Sequence, residues 1–143
     1  LLARSGRHAE VVATEVRGFG RPLPCVVDID TMQRVLFNLL LNAYEAVEQG
    51  GEVSVTGDEQ PDRKTVALVI EDTGPGIPPA YLESSLFRPF RSTKPSGLGL
   101  GLYHAKVMVE AHGGAIEVRN REETHGARLT LTLPRLDQHV GAL

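Results

Sequence analysis

An α+β fold, a two-layer α/β sandwich with a mixed, mostly antiparallel sheet and helices on one face, is predicted by three features of this 143-residue chain. Two segments carry apolar residues at helical spacing. Four others read as strands, and these come in two pairs, each joined by a polar turn. Such hairpin spacing favours antiparallel neighbours, whereas a doubly wound parallel sheet needs a crossover between successive strands. A hydrophobic content of 41% and a charged content of 23% suit one globular domain long enough to enclose a core.

The elements follow in order. Residues 9–17 are compatible with a short strand or a short helix. RPLPCVVDID reads as a connector feeding a short apolar strand around 25–29. Asp30 or Thr31 can cap the next helix, and Gln33 fits the reciprocal position if Asp30 is the cap. In that helix Met32, Val35, Leu36, Leu39, Leu40, Ala43 and Val47 recur as a core stripe, and Gly50–Gly51 stops it. EVSVT (52–56) and KTVALVIE (64–71) are strand-like, with the polar turn GDEQPDR between them. DTGPGIPP is a glycine/proline loop, AYLESSLF has the length of a short helix, and RPFRSTKPSGLGLG reads as a mobile stretch. A second helix is expected from about Leu100 to His112, ended by Gly113–Gly114. AIEVRN and ARLTLTLP finish as strands joined by a turn containing Gly126, with Leu129, Leu131 and Leu133 facing the core. The expected organisation is an edge segment over 1–27, a core over 28–134 and a tail over 135–143.

Composition excludes several classes of function. A net charge of -3 without a basic block gives no footing for nucleic acid or an anionic membrane. Cys25 is the only cysteine, which excludes an internal disulfide and points to a reducing compartment. No apolar run approaches the ~20 residues of a membrane-spanning helix. The opening LLARSGRHAEVV lacks a signal peptide's apolar run and reads as the cut edge of a longer protein. The expected localisation is cytoplasmic, with any inner-membrane anchor of the parent protein lying upstream.

Three elements carry chemistry. In NLLLNAYEAV, Asn38, Asn42 and Glu45 fall on one side of a helix at spacings of four and three. A buried amide without partners costs roughly 1–3 kcal/mol, so such a row in an apolar helix calls for a ligand. A neutral amide oxygen suits Mg²⁺, which brings phosphate oxygens and waters with it. Asn42 can meet the ion, Asn38 the phosphate or its water, and Glu45 a metal-bound water or Asn42 itself. Asp72 ends an apolar strand and precedes Gly74 and Gly76. A carboxylate there accepts from the exocyclic amine of adenine and repels the carbonyl of guanine. It can equally cap its own loop. GLGLGL (97–102) opens a helix, where free backbone N–H groups can meet a polyphosphate. It is neither a Walker A loop nor a dinucleotide fingerprint.

Together NLLLNAYEA, DTGPGIP, LFRPFRSTKPSGLGLGL and EAHGGAIEV resemble the ATP-binding catalytic domain of bacterial sensor histidine kinases. The wider superfamily includes heat-shock chaperones, MutL mismatch-repair proteins and type II topoisomerases. The resemblance spans about residues 28–134 and implies a Bergerat-type ATP-binding fold with ATP and Mg²⁺ as cofactors. It matches Asn38 and Asn42 to the N box, with Asn42 as the Mg²⁺ ligand. Asp72, Gly74 and Gly76 match the first glycine box, Phe87 and Phe90 the F box, and Lys94 a lid lysine near the phosphates. Gly97, Gly99 and Gly101 match the second glycine box, and Thr93, Leu98 and Leu100 complete the nucleotide-binding set it implies. The catalytic set is Asn38, Asn42, Glu45 and Lys94. Thr73, Arg88 and Leu98 depart from the residues usual at their positions, and Thr73 could still bond a water.

The resemblance implies transfer of the ATP γ-phosphoryl group to a histidine on a separate dimerisation domain, then relay to a response regulator receiver domain. In the chaperone and MutL relatives a water-activating glutamate precedes the metal-binding asparagine by one turn. Asn38 stands in that slot and has no basicity for activating water, so kinase chemistry is favoured over fast hydrolysis. His8 lacks the adjacent acid of a phosphoacceptor motif, so the target histidine is expected outside this sequence. The alternatives are a serine kinase of the anti-sigma-factor type and a nucleotide-binding regulatory or scaffolding module.

Overall fold

The computed structural model describes residues 13–17, 25, 27–48, 50–60, 64–84 and 101–135. In chain order the elements are β1 (Ala13–Arg17), α1 (Ile29–Ala46), β2 (Glu52–Gln60), β3 (Thr65–Asp72), α2 (Pro79–Ser84), α3 (Gly101–Ala111), β4 (Ala115–Asn120) and β5 (Ala127–Pro134). They form a 5-stranded sheet in the order β1-β2-β3-β5-β4. Only β1 runs parallel to its neighbour, with Ala13 opposite Glu52, and the other three pairings are antiparallel. The mixed, mostly antiparallel sheet is the one the hairpin spacing predicts.

Strand alternation sorts the sheet into two faces. Val53, Val66, Ile70, Leu131 and Leu133 point inward and share one core with Met32, Val35, Leu39, Ala43, Tyr44 and Val47 of α1 and its C-terminal turn, and with Ala105 and Val109 of α3. Val35, Val53, Ala105 and Val109 are almost wholly enclosed. The opposite face is polar: Glu117, Arg119, Arg128 and Thr130 line a shallow depression there. Both long helices therefore cover the same side of the sheet, and truncating a fully enclosed side chain such as Leu39 to Ala falls in the range of about 2–5 kcal/mol.

Several expectations are corrected. The helix starts earlier than Asp30 or Thr31 suggests: Asp28 is the cap, and its Oδ2 accepts from both the amide and the hydroxyl of Thr31. No apolar strand spans 25–29; Cys25 forms an isolated bridge to Arg135, and the chain enters α1 two residues after Val27. β2 extends to Gln60, four residues past EVSVT, because Asp58, Glu59 and Gln60 keep pairing with Ala67, Val66 and Thr65. The ambiguous 9–17 segment contains a strand at Ala13–Arg17.

A tertiary contact helps to fix the cap. The Asp28 amide donates to His112 Nε2 at 3.1 Å, and His112 Nδ1 lies 2.7 Å from the Met108 carbonyl. A carbonyl can only accept and an amide can only donate, so these partners suit the tautomer with the proton on Nδ1. The end of α3 thus meets the start of α1. α1 and α3 also pack against one another. The Thr31 hydrogen bonds hold the Asp28 carboxyl below the ordinary aspartate range. The stability it adds is present above that range and is lost as pH falls through the lowered value. Asp28→Ala is expected to lower the melting temperature at pH 7, with the gap to the native chain closing in strong acid; thermal melts across the acid range check this.

Candidate functional site

The site is assembled where β3 ends. The alternation that turns Val66, Leu68 and Ile70 inward carries Asp72 to the same face, opposite Val53. The carboxyl is buried, with 7% of the residue's surface exposed. Its Oδ1 accepts from the Gly74 amide at 2.9 Å and from the Ala127 amide at 3.3 Å. Among the described residues no hydrogen bond falls on Oδ2. Burial pushes the carboxyl above its ordinary value, against the opposing pull of those two amides and of Arg121. Among the described residues, then, the carboxylate is held by one oxygen.

The loop after Asp72 lies on the end of α1. A Cβ on Gly74 would come within 2.5 Å of the Ala46 carbonyl, so backbone meets backbone there with no room for a side chain. Ala46 follows Glu45, which places the loop beside the turn carrying the asparagine row. Asn38, Asn42 and Glu45 are each half-buried, at the border between the enclosed and exposed sides of α1. The row offers two neutral amides and one carboxylate. Among the described residues no three His, Cys, Asp or Glu side chains gather as a metal cage. A donor row of this kind suits a hard cation that takes most of its ligands from phosphate and water.

Three further residues hold the loop or the strand end before it, and sequence reasoning missed them. Asn120 Oδ1 accepts from the Ile77 amide at 2.7 Å, while its Nδ2 donates to the Ile77 carbonyl at 2.7 Å. Arg121 donates through Nη1 to the Asp72 carbonyl at 3.3 Å, and its Nε lies 3.2 Å from Glu71 Oε2. Arg128 Nε reaches the same Glu71 oxygen at 3.0 Å. An asparagine in register with Ile116 and Val118 on the inward face of β4 was the available signal. The Thr73 hydroxyl accepts from the Glu52 amide at 2.9 Å and its amide donates to the Glu52 carbonyl at 3.1 Å, fastening the loop to β2.

Of the remaining expected residues, Gly76 lies in this loop with a φ of +80° and Gly101 opens α3. Phe87, Phe90, Thr93, Lys94, Gly97, Leu98, Gly99 and Leu100 fall outside the described residues, as does the departure at Arg88. His104 is exposed and stacks loosely against Tyr103, with ring centroids 5.7 Å apart.

Residues 27–137 match the family model described as histidine kinase-, DNA gyrase B-, and HSP90-like ATPase. The chain belongs to this ATPase family. Membership makes it a nucleotide-binding domain, and the buried Asp72 is the polar group that the core face turns toward the loop. Among the relatives of this ATPase domain, the sensor histidine kinase ZraS of Escherichia coli O157:H7 is 44% identical over 107 residues, covering 75% of this chain and 22% of ZraS. The hybrid signal transduction histidine kinase D of Dictyostelium discoideum is 37% identical over 131 residues, covering 83% of this chain and 8% of that protein. The chain therefore spans less than a quarter of either relative. The solved catalytic domain of histidine kinase ThkA, in a nucleotide-free form, superposes with a TM-score of 0.76 at 30% identity, covering 87% of this chain and 79% of that one. Among the described residues no helix is long and apolar enough to cross a membrane.

Proposed function

We propose that this domain binds ATP with Mg²⁺ and passes the γ-phosphoryl group to a histidine on a separate dimerisation domain, from which a response regulator receiver domain takes it. The observation that carries this reading is the Asp72 carboxylate, with Oδ1 held by two backbone amides and Oδ2 left for a ligand. An acceptor at that place suits the exocyclic amine of adenine and disfavours guanine. The similarity to ZraS and ThkA supports kinase chemistry at the same fold.

Each residue has a defined task in this proposal. Asp72 orients the purine. Asn42 supplies an amide oxygen to Mg²⁺, Glu45 orients Asn42, and Asn38 contacts phosphate. Lys94 and the amides of 97–101 stabilise the charge that develops during transfer. When bound, the metal ion neutralises the phosphate oxygens. Asn38 cannot take a proton from water, so hydrolysis is slow, whereas an imidazole nitrogen brought in by the partner needs only alignment. An aspartate or glutamate at 38 or 42 would add negative charge beside a triphosphate, which accounts for amides in both places.

The test is phosphoryl transfer from labelled ATP to a histidine-bearing dimerisation domain supplied in trans. Asn42→Ala is expected to reduce the transfer rate by on the order of a hundredfold, with a smaller loss in nucleotide affinity. Unchanged transfer in this variant would remove Asn42 from the mechanism.

A further inference from the structure

We propose that Asn120 is the positioning residue that aims Asp72 at the base, and that it thereby sets the preference for adenine over guanine. The inference rests on the reading of Asp72 as the purine acceptor. Asn120 ends β4, and its side-chain amide pairs with the backbone of Ile77, 43 residues away, in both directions at 2.7 Å. It acts as one extra rung of the sheet, extended to the loop. The loop has little else to offer: Pro75, Pro78 and Pro79 have no N–H, so between 75 and 79 only Gly76 and Ile77 can donate from the backbone. The Ile77 donor goes to Asn120. Gly76 leaves the space this needs, since a Cβ there would lie 2.8 Å from Asn120 Oδ1.

The two ends of the loop are thus anchored in the same turn. At one end Asp72 Oδ1 accepts from Ala127 at the start of β5, and at the other Ile77 is clamped by Asn120 at the end of β4. Arg121, next to Asn120, donates to the Asp72 carbonyl and bonds through its own amide to the Gly126 carbonyl at 2.9 Å. Releasing Ile77 lets the loop swing while the carboxylate stays buried, and the angle at which Oδ2 meets a purine is no longer fixed. Asn120 does not touch the ligand. It decides where the ligand is read.

Calorimetric titration with Mg·ATP and with Mg·GTP tests this. Asn120→Ala is expected to weaken ATP binding about tenfold, the effect of losing one good hydrogen bond's worth of alignment, and to leave GTP binding nearly unchanged. Asn120→Asp gives a second readout. As a carboxylate it meets the Ile77 carbonyl with no donor, but once protonated it offers one O–H and one C=O, as asparagine does. The ratio of its ATP dissociation constant to that of the native chain is expected to shrink from about tenfold at pH 8 toward unity as pH falls through and below the ordinary aspartate range of about 4, with Asp72's own titration cancelling in the ratio. Equal losses for ATP and GTP in Asn120→Ala, or a ratio for Asn120→Asp that is flat with pH, would make Asn120 merely structural and overturn the proposal. A native chain with no preference for ATP would instead bring down the reading of Asp72 itself.

Discussion

Asp72→Asn is expected to lower ATP affinity by one to two orders of magnitude without lowering the melting temperature. On the proposed reading the two oxygens of the carboxylate have different tasks, and asparagine separates them. Its remaining oxygen can still accept from Gly74 and Ala127, at 2.9 and 3.3 Å in the native chain, so the loop keeps its anchor. The amide nitrogen replaces Oδ2 and confronts the adenine amine with a second donor. Alanine is the poorer test, because it strands both backbone amides and confuses folding with binding.

The stability half of that prediction follows from burial. The Asp72 carboxyl titrates above its ordinary value because it is desolvated. A raised folded-state value means that the group costs nothing below the ordinary aspartate range and destabilises the fold as pH rises through the raised value. At neutral pH the chain therefore carries a desolvated charge that asparagine removes. Thermal melts at pH 7 should place Asp72→Asn level with or above the native chain, and the acid-side loss of ATP affinity that Asp72 contributes should vanish in the variant. Native-like ATP binding by Asp72→Asn would show that the base is read elsewhere.

Gly126→Ala is expected to cost about 3 kcal/mol or more, a fall in melting temperature on the order of 10 °C for a domain of this size. Two penalties coincide there. The backbone sits at a φ of +118°, outside what a side chain tolerates, and a Cβ would fall 1.8 Å from the Asp72 carbonyl oxygen and 3.1 Å from Thr73 Cα. Neither neighbour is the flexible end of a side chain, so the strain cannot be relieved locally. The turn must move off β3, taking the Ala127 amide with it and uncovering Oδ1. Urea titration should show the destabilisation, and nucleotide affinity should fall with it. A variant as stable as the native chain would mean that the turn adapts at little cost.

Much of this was legible before any coordinates. Helical spacing located the core stripe of α1 and the row of Asn38, Asn42 and Glu45 beside it, because both follow from a local period. β4 and β5 emerged with the bounds the sequence suggested, Ala115–Asn120 and Ala127–Pro134, since each alternates cleanly and the turn between them is polar. What escaped depends on partners distant in sequence. Asp28, Asp30 and Thr31 all satisfy the local rule for a cap, and Asp28 is the one whose amide meets His112, 84 residues on. The length of β2 is decided by what β3 presents opposite Asp58–Gln60, which no local pattern states. Asn120 was invisible for the same reason: a polar residue closing a strand resembles any other strand end until Ile77 is placed against it.

The anchoring of Asp72 by Ala127 also has a consequence for how the domain matures during synthesis. Asn38, Asn42 and Asp72 all precede α3 in the chain, yet the amide that secures the Asp72 carboxyl comes from the β4–β5 hairpin. A nascent chain halted before that hairpin leaves the ribosome would carry Asn38, Asn42 and Asp72 without the Ala127 amide that holds the carboxyl. On the proposed reading, nucleotide capture would wait for that hairpin, since long-range closure is the step that completes the anchorage of Asp72.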